Sequence, residues 1–83
     1  MQPEEIYLQL QQQPFRPMRI YLRDGRTYDL TSRRLAVVGV TYLDIGIQAS
    51  DLAEGVADQV FSVDPQEVLR IDPAPAPTAA QPG

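Results

Sequence analysis

Residues 18–30 read MRIYLRDGRTYDL, and apolar letters alternate with polar ones on both sides of Asp24-Gly25. Period-two alternation broken by Asp-Gly is the pattern of a β-hairpin. Two registers compete. A two-residue turn at Asp24-Gly25 sets Leu22 against Thr27 and Ile20 against Asp29, which puts polar residues on the apolar face. A three-residue loop, Arg23-Asp24-Gly25, pairs Leu22 with Arg26, Ile20 with Tyr28 and Met18 with Leu30, so the apolar set shares a face. A slip of one residue reverses every side chain, so burial selects the second register. It needs positive φ at the third loop position, and Gly25 supplies it in a type I turn with a G1 bulge.

Upstream, Pro3 suits the first turn of a helix, with Glu4 and Glu5 favourable at its positive end. Ile6 and Leu10 are four apart, so residues 3–12 are expected to form a short helix with one apolar stripe, ended by Pro14. So short a helix must dock to persist. Phe15 follows in a stiff extended linker, PFRP.

Downstream, residues 35–47 (LAVVGVTYLDIGI) are rich in β-branched and apolar residues. They are too long for one straight strand, and Gly39 is expected to mark a bend or bulge, leaving open one bent strand or two. Leu43, Ile45 and Ile47 alternate with Tyr42, Asp44 and Gly46, as in a half-buried strand. Residues 48–57 read as an acidic surface loop. Val60 to Val63 and Val68 to Ile71 read as two short strands, joined by a 3₁₀-like turn that Asp64-Pro65 opens.

The 83 residues allow one domain. Residues 73–83 (PAPAPTAAQPG) hold four prolines and no aliphatic side chain larger than alanine, so they are expected to be a disordered tail after a domain of residues 1–72. The core is small and has no Cys or His to staple it with a disulfide or zinc, which favours oligomerisation. No run of apolar residues could span a membrane, and the N-terminus lacks the basic start of a signal peptide. A cytoplasmic protein is expected.

Net charge is −4, but it is segregated. Residues 16–34 hold six of the seven arginines and net +4, whereas residues 44–72 net −6. Every basic residue is Arg, which makes planar two-pronged contacts unavailable to Lys. Such segregation suits head-to-tail self-association or a basic patch for an acidic partner.

At IYLRDGRTYDL the chain resembles the Sm/Hfq superfamily of small SH3-like barrels, which open with a helix and a strand of the form I-Y-L-x-[DN]-G and close with two short strands around a tight turn, similar to VFSVDPQEVLRI here. PFRPMRIYLRDGRTYDL also looks like short uncharacterised bacterial proteins with an F-R-P-F-R-I-x-L-x-D-G-like core. The resemblance implies a mostly β fold: a short N-terminal helix, then a five-stranded SH3/Sm-like antiparallel barrel. It does not carry the RNA site. Sm proteins have Asp-x-x-Met-Asn where this chain reads SRRLAVV, and Arg-Gly where it reads FSVDP; Hfq has Tyr-Lys-His where Phe61-Ser62-Val63 stands.

Without His, Cys or Lys the usual bases and nucleophiles are absent, so no catalytic, cofactor or metal site is expected. Asp64 reads as a turn residue capping its own backbone rather than as half of a carboxylate pair with Glu67. Arg19, Tyr21 and Arg23 fall on the outward face of the first strand, with Arg26, Arg33 and Arg34 near in sequence. Arg–aromatic interleaving serves single-stranded nucleic acid platforms. The plainer reading has Tyr21 covering the sheet while the arginines pair with Asp29 and the acidic loop. Two functions follow. One is a non-catalytic interaction module, bound to itself by edge pairing of Val68 to Ile71, as a ring or another homo-oligomer, or to another protein. The other is an RNA-binding Sm-like ring using these arginines.

Overall fold

The computed structural model describes residues 1–48 and 56–74. Helix α1 spans Pro3–Leu10. Its first turn is held by the Glu5 carboxylate, which accepts from the Gln2 N–H at 2.9 Å. Ile6 and Leu10 are fully buried, one turn apart. The helix ends two residues earlier than residues 3–12 would give, since Gln11, Gln12 and Gln13 have no apolar side chain to bury.

Strands β1 (Met18–Leu22) and β2 (Thr27–Leu30) form the hairpin in the three-residue-loop register, with Met18 opposite Leu30 and Ile20 opposite Tyr28. The Leu22 N–H donates to Arg26 O at 2.9 Å, and Gly25 has φ 96°. A 3₁₀ turn, Arg33–Leu35, leads into β3 (Ala36–Val38). Residues 39–42 then reverse the chain into β4 (Leu43–Ile47), which pairs back on β3 with Val38 opposite Leu43. Gly39 therefore opens a hairpin rather than bending a strand, and its N–H donates to Tyr42 O at 2.8 Å. Strand β5 (Gln59–Val63) follows, then a 3₁₀ turn at Pro65–Glu67 and β6 (Val68–Pro73). Asp64 caps that turn by accepting from the Gln66 N–H at 2.9 Å.

The five-stranded SH3/Sm-like barrel is not what forms. Among the described residues six strands make two open three-stranded sheets, β2-β1-β6 and β3-β4-β5. Closing a barrel needs strands hydrogen-bonded round the whole circuit. Here β2 stops at Leu30 and the chain turns through Ser32 and the 3₁₀ turn, so among the described residues no strand ladder joins the two sheets. The sheets face one another instead, with β2 packed over β4 and α1 lying against β3. Ile20, Leu22, Leu30 and Val68 from one sheet meet Leu43, Ile45 and Val63 from the other, together with Ile6 and Leu10. At the margin, the half-buried rings of Tyr28 and Phe61 stack across the gap, centroids 5.0 Å apart.

Pro73 belongs to β6, and the Ala74 N–H donates to Pro17 O at 3.0 Å, so order extends past residue 72. The expected tail from residue 75 on, and residues 49–55 of the expected loop, lie outside the described residues.

Candidate functional site

Each residue of the expected arginine surface can be placed. Arg19 and Tyr21 point outward from β1, the central strand of its sheet, so their neighbours come from both flanking strands. The Arg19 guanidinium grips Asp29 of β2 through two bonds, Nε to Oδ1 at 2.7 Å and the second nitrogen to Oδ2 at 3.1 Å. That fork raises Arg19 and holds the Asp29 carboxyl below its ordinary range. Arg70 of β6 lies 3.9 Å above the Tyr21 ring while its Nε donates to Asp72 at 2.7 Å. The outer face of this sheet thus alternates two cations with two anions.

Arg23 and Arg26 sit at the tip of the hairpin. Arg23 is tied to the second 3₁₀ turn, with Nε donating to Gln66 O at 3.0 Å and its backbone N–H to Glu67 O at 2.9 Å. Arg26 pairs with Asp24 at 2.8 Å and donates to the Tyr28 hydroxyl at 3.1 Å. Arg33 and Arg34 lie beyond the opposite end of β2. Arg33 donates to Ala36 O at 3.0 Å and stands over the Tyr7 ring, whereas the Arg34 side chain is exposed. The six residues therefore occupy three places rather than one strip, and Arg19 and Arg26 are already neutralised by aspartates.

The apolar surface is more distinctive. Exposed aliphatic side chains stand at Leu8, Val40 and Val60, the last 63% exposed on β5. Among the four edge strands, β6 carries Arg70, Asp72 and Pro73, β2 carries Asp29, and β3 has three residues beside α1. Charge, proline and shortness are the usual protections of an edge. Strand β5 has none of them: QVFSV is five residues long and uncharged, and Gln59, Val60 and Ser62 are exposed. Its charges flank it, at Asp58 and Asp64. Its outer edge has no strand partner among the described residues.

The sequence signal for β5 was the uncharged run between two aspartates, but only strand order makes it an edge. Val40 reads as strand interior in the apolar segment 35–47, and in the fold it tops a turn.

Among the described residues no helix is long and apolar enough to cross a membrane. No family model matches the chain, and neither a curated protein nor a solved structure matches it.

Proposed function

We infer that this chain is a non-catalytic interaction module whose first partner is a second copy of itself, joined through β5. The observation that supports it is the unprotected β5 edge. Two such edges related by a two-fold axis pair antiparallel, and a self-complementary contact of this kind closes as a dimer. Centred on Phe61, the pairing sets Val60 against Ser62 of the second copy and joins two three-stranded sheets into one of six strands. The last strand, the edge expected to pair from sequence, is the poorer candidate because the Arg70–Asp72 pair and Pro73 protect β6. Five residues bury far less than the roughly 1,000 Å² of a stable interface, so the dimer is weak and concentration-dependent.

Light scattering from low micromolar to near-millimolar protein tests this. The expected result is a shift from monomer to dimer that Val60→Lys abolishes, since lysine protects an edge and Val60 is too exposed to matter for folding. Val37→Lys on the β3 edge leaves the dimer intact. A monomer at the highest concentration refutes the reading. Salt-sensitive binding of poly-U, lost in an Arg19→Ala/Arg23→Ala variant, would favour the RNA-binding ring instead. Phosphate would have to displace Asp29 from Arg19 there, which counts against that rival.

A further inference from the structure

A second exposed surface lies away from β5, between α1 and the turn that joins β3 to β4. Pro3, Tyr7 and Leu8 form one wall of a shallow groove, Val38 and Val40 the other, with about 500 Å³ of space open to solvent between them. That is the size of a site for a small ligand or a few peptide side chains. Leu8 is 68% exposed and Val40 86% exposed, the most open aliphatic side chains among the described residues. The α1 wall is anchored. Arg33 stands 5.8 Å over the Tyr7 ring while bonded to Ala36 O, and α1 is anchored from below by Ile6 and Leu10.

The groove does not end at Val40. A second hollow of about 290 Å³ shares Pro3, Glu4 and Val40 with it and continues to Asp64 and Gln66. Glu4 borders both hollows, is exposed, and has no ion-pair partner among the described residues. At the far end the Asp64 carboxylate accepts from the Gln66 N–H at 2.9 Å, and its backbone carbonyl from the Glu67 N–H at 2.8 Å. The Met1 ammonium and the Arg23 guanidinium are bonded to the backbone of this end, at Pro65 O (3.1 Å) and Gln66 O (3.0 Å), and the charged side chains that line the trough itself are the carboxylates of Glu4 and Asp64.

We propose that this groove binds a short extended peptide segment carrying a bulky aliphatic residue beside an arginine or lysine. The aliphatic side chain fills the space between Leu8 and Val40, and the cation meets Glu4, with Asp64 next along the trough. Charge complementarity selects this occupant: the carboxylates repel an anionic lipid surface or a phosphate backbone, and an uncharged apolar segment leaves Glu4 without a counter-charge.

The test uses the full chain, labelled with ¹⁵N, and two blocked hexapeptides, Ala-Leu-Arg-Ala-Leu-Arg and Ala-Leu-Glu-Ala-Leu-Glu. The basic peptide is expected to shift the amides of Leu8, Val40 and Thr41 saturably, and the acidic one to leave them unmoved. Glu4→Gln keeps an exposed side chain of the same size and weakens binding about two- to fivefold, the scale of one exposed charge pair. Val60→Lys, which alters only the β5 edge, leaves peptide binding unchanged. Equal shifts from both peptides, shifts confined to other residues, or none at near-millimolar basic peptide overturn the proposal. So does the same pattern of shifts on adding anionic vesicles, or on concentrating the protein alone, which would assign the groove to a membrane or to a second copy.

Discussion

Replacing Gly39 by alanine places a methyl group where the Tyr42 ring lies, well inside van der Waals contact with three ring atoms. The backbone is not the obstacle, since Gly25 is the only glycine with positive φ among the described residues. Two opposed effects can therefore be separated. Overpacking costs about 1–3 kcal/mol, and the lower end applies because Tyr42 is 43% exposed and its ring can swing outward. Against that, alanine restricts the unfolded chain and stabilises by about 0.4–1 kcal/mol where its backbone fits. The net expectation for Gly39→Ala is a loss of roughly 0.5–2 kcal/mol, from a fold holding only about 4–10 kcal/mol at this length. In a Tyr42→Ala background the clash is gone and only the chain-entropy gain is left, so the sign reverses to a gain of about 0.4–1 kcal/mol. Urea denaturation of the four proteins reads the coupling directly. With a slope near 1 kcal/mol per molar urea, the two backgrounds should move the midpoint in opposite directions by roughly 1–3 M between them. Equal effects of Gly39→Ala in both backgrounds refute the idea that the ring over Gly39 shapes this turn.

Ile45 is fully buried on β4, the central strand of its sheet, so Ile45→Ala should cost about 2–5 kcal/mol and leave the protein close to unfolding by thermal circular dichroism. Gly25→Ala meets no neighbouring atom but must adopt φ 96°, so its cost should be backbone strain alone, about 1–2 kcal/mol, with Gly25→Asn milder in the same urea assay. Acid stability should depend on the Arg19–Asp29 fork. A folded-state carboxyl value held below the unfolded one stabilises above the unfolded value, and the contribution is lost as pH falls below about 4. Arg19→Gln should flatten the stability profile across that window, and a profile unchanged in slope would show that the pair contributes nothing there.

What was legible in the sequence is what neighbours along the chain decide. The hairpin register follows from the alternation between Met18 and Leu30 and from one residue free to take positive φ. The stripe of Ile6 and Leu10 follows from helical spacing, and the Asp64-Pro65 turn from an aspartate that caps two residues ahead. Residues 35–47 carry no such punctuation: a bend at Gly39 and a full reversal there have the same letters. Cross-strand pairing of Val38 with Leu43, and the Tyr42 ring packed on Gly39, chose the reversal and made two strands of this stretch. The same limit governs the barrel. Whether the two sheets share a strand is a question of hydrogen bonds between residues far apart in sequence, and the break after Leu30 answers it with two open sheets. It also governs the surfaces. Alternation alone turns Arg19 outward, but pairing with β2 is what sets Asp29 beside it. QVFSV is an uncharged run in any fold, and it becomes an exposed edge only because β4 occupies one side of it and no strand among the described residues occupies the other. Local periodicity fixes which way a side chain points, whereas tertiary pairing decides what it points at.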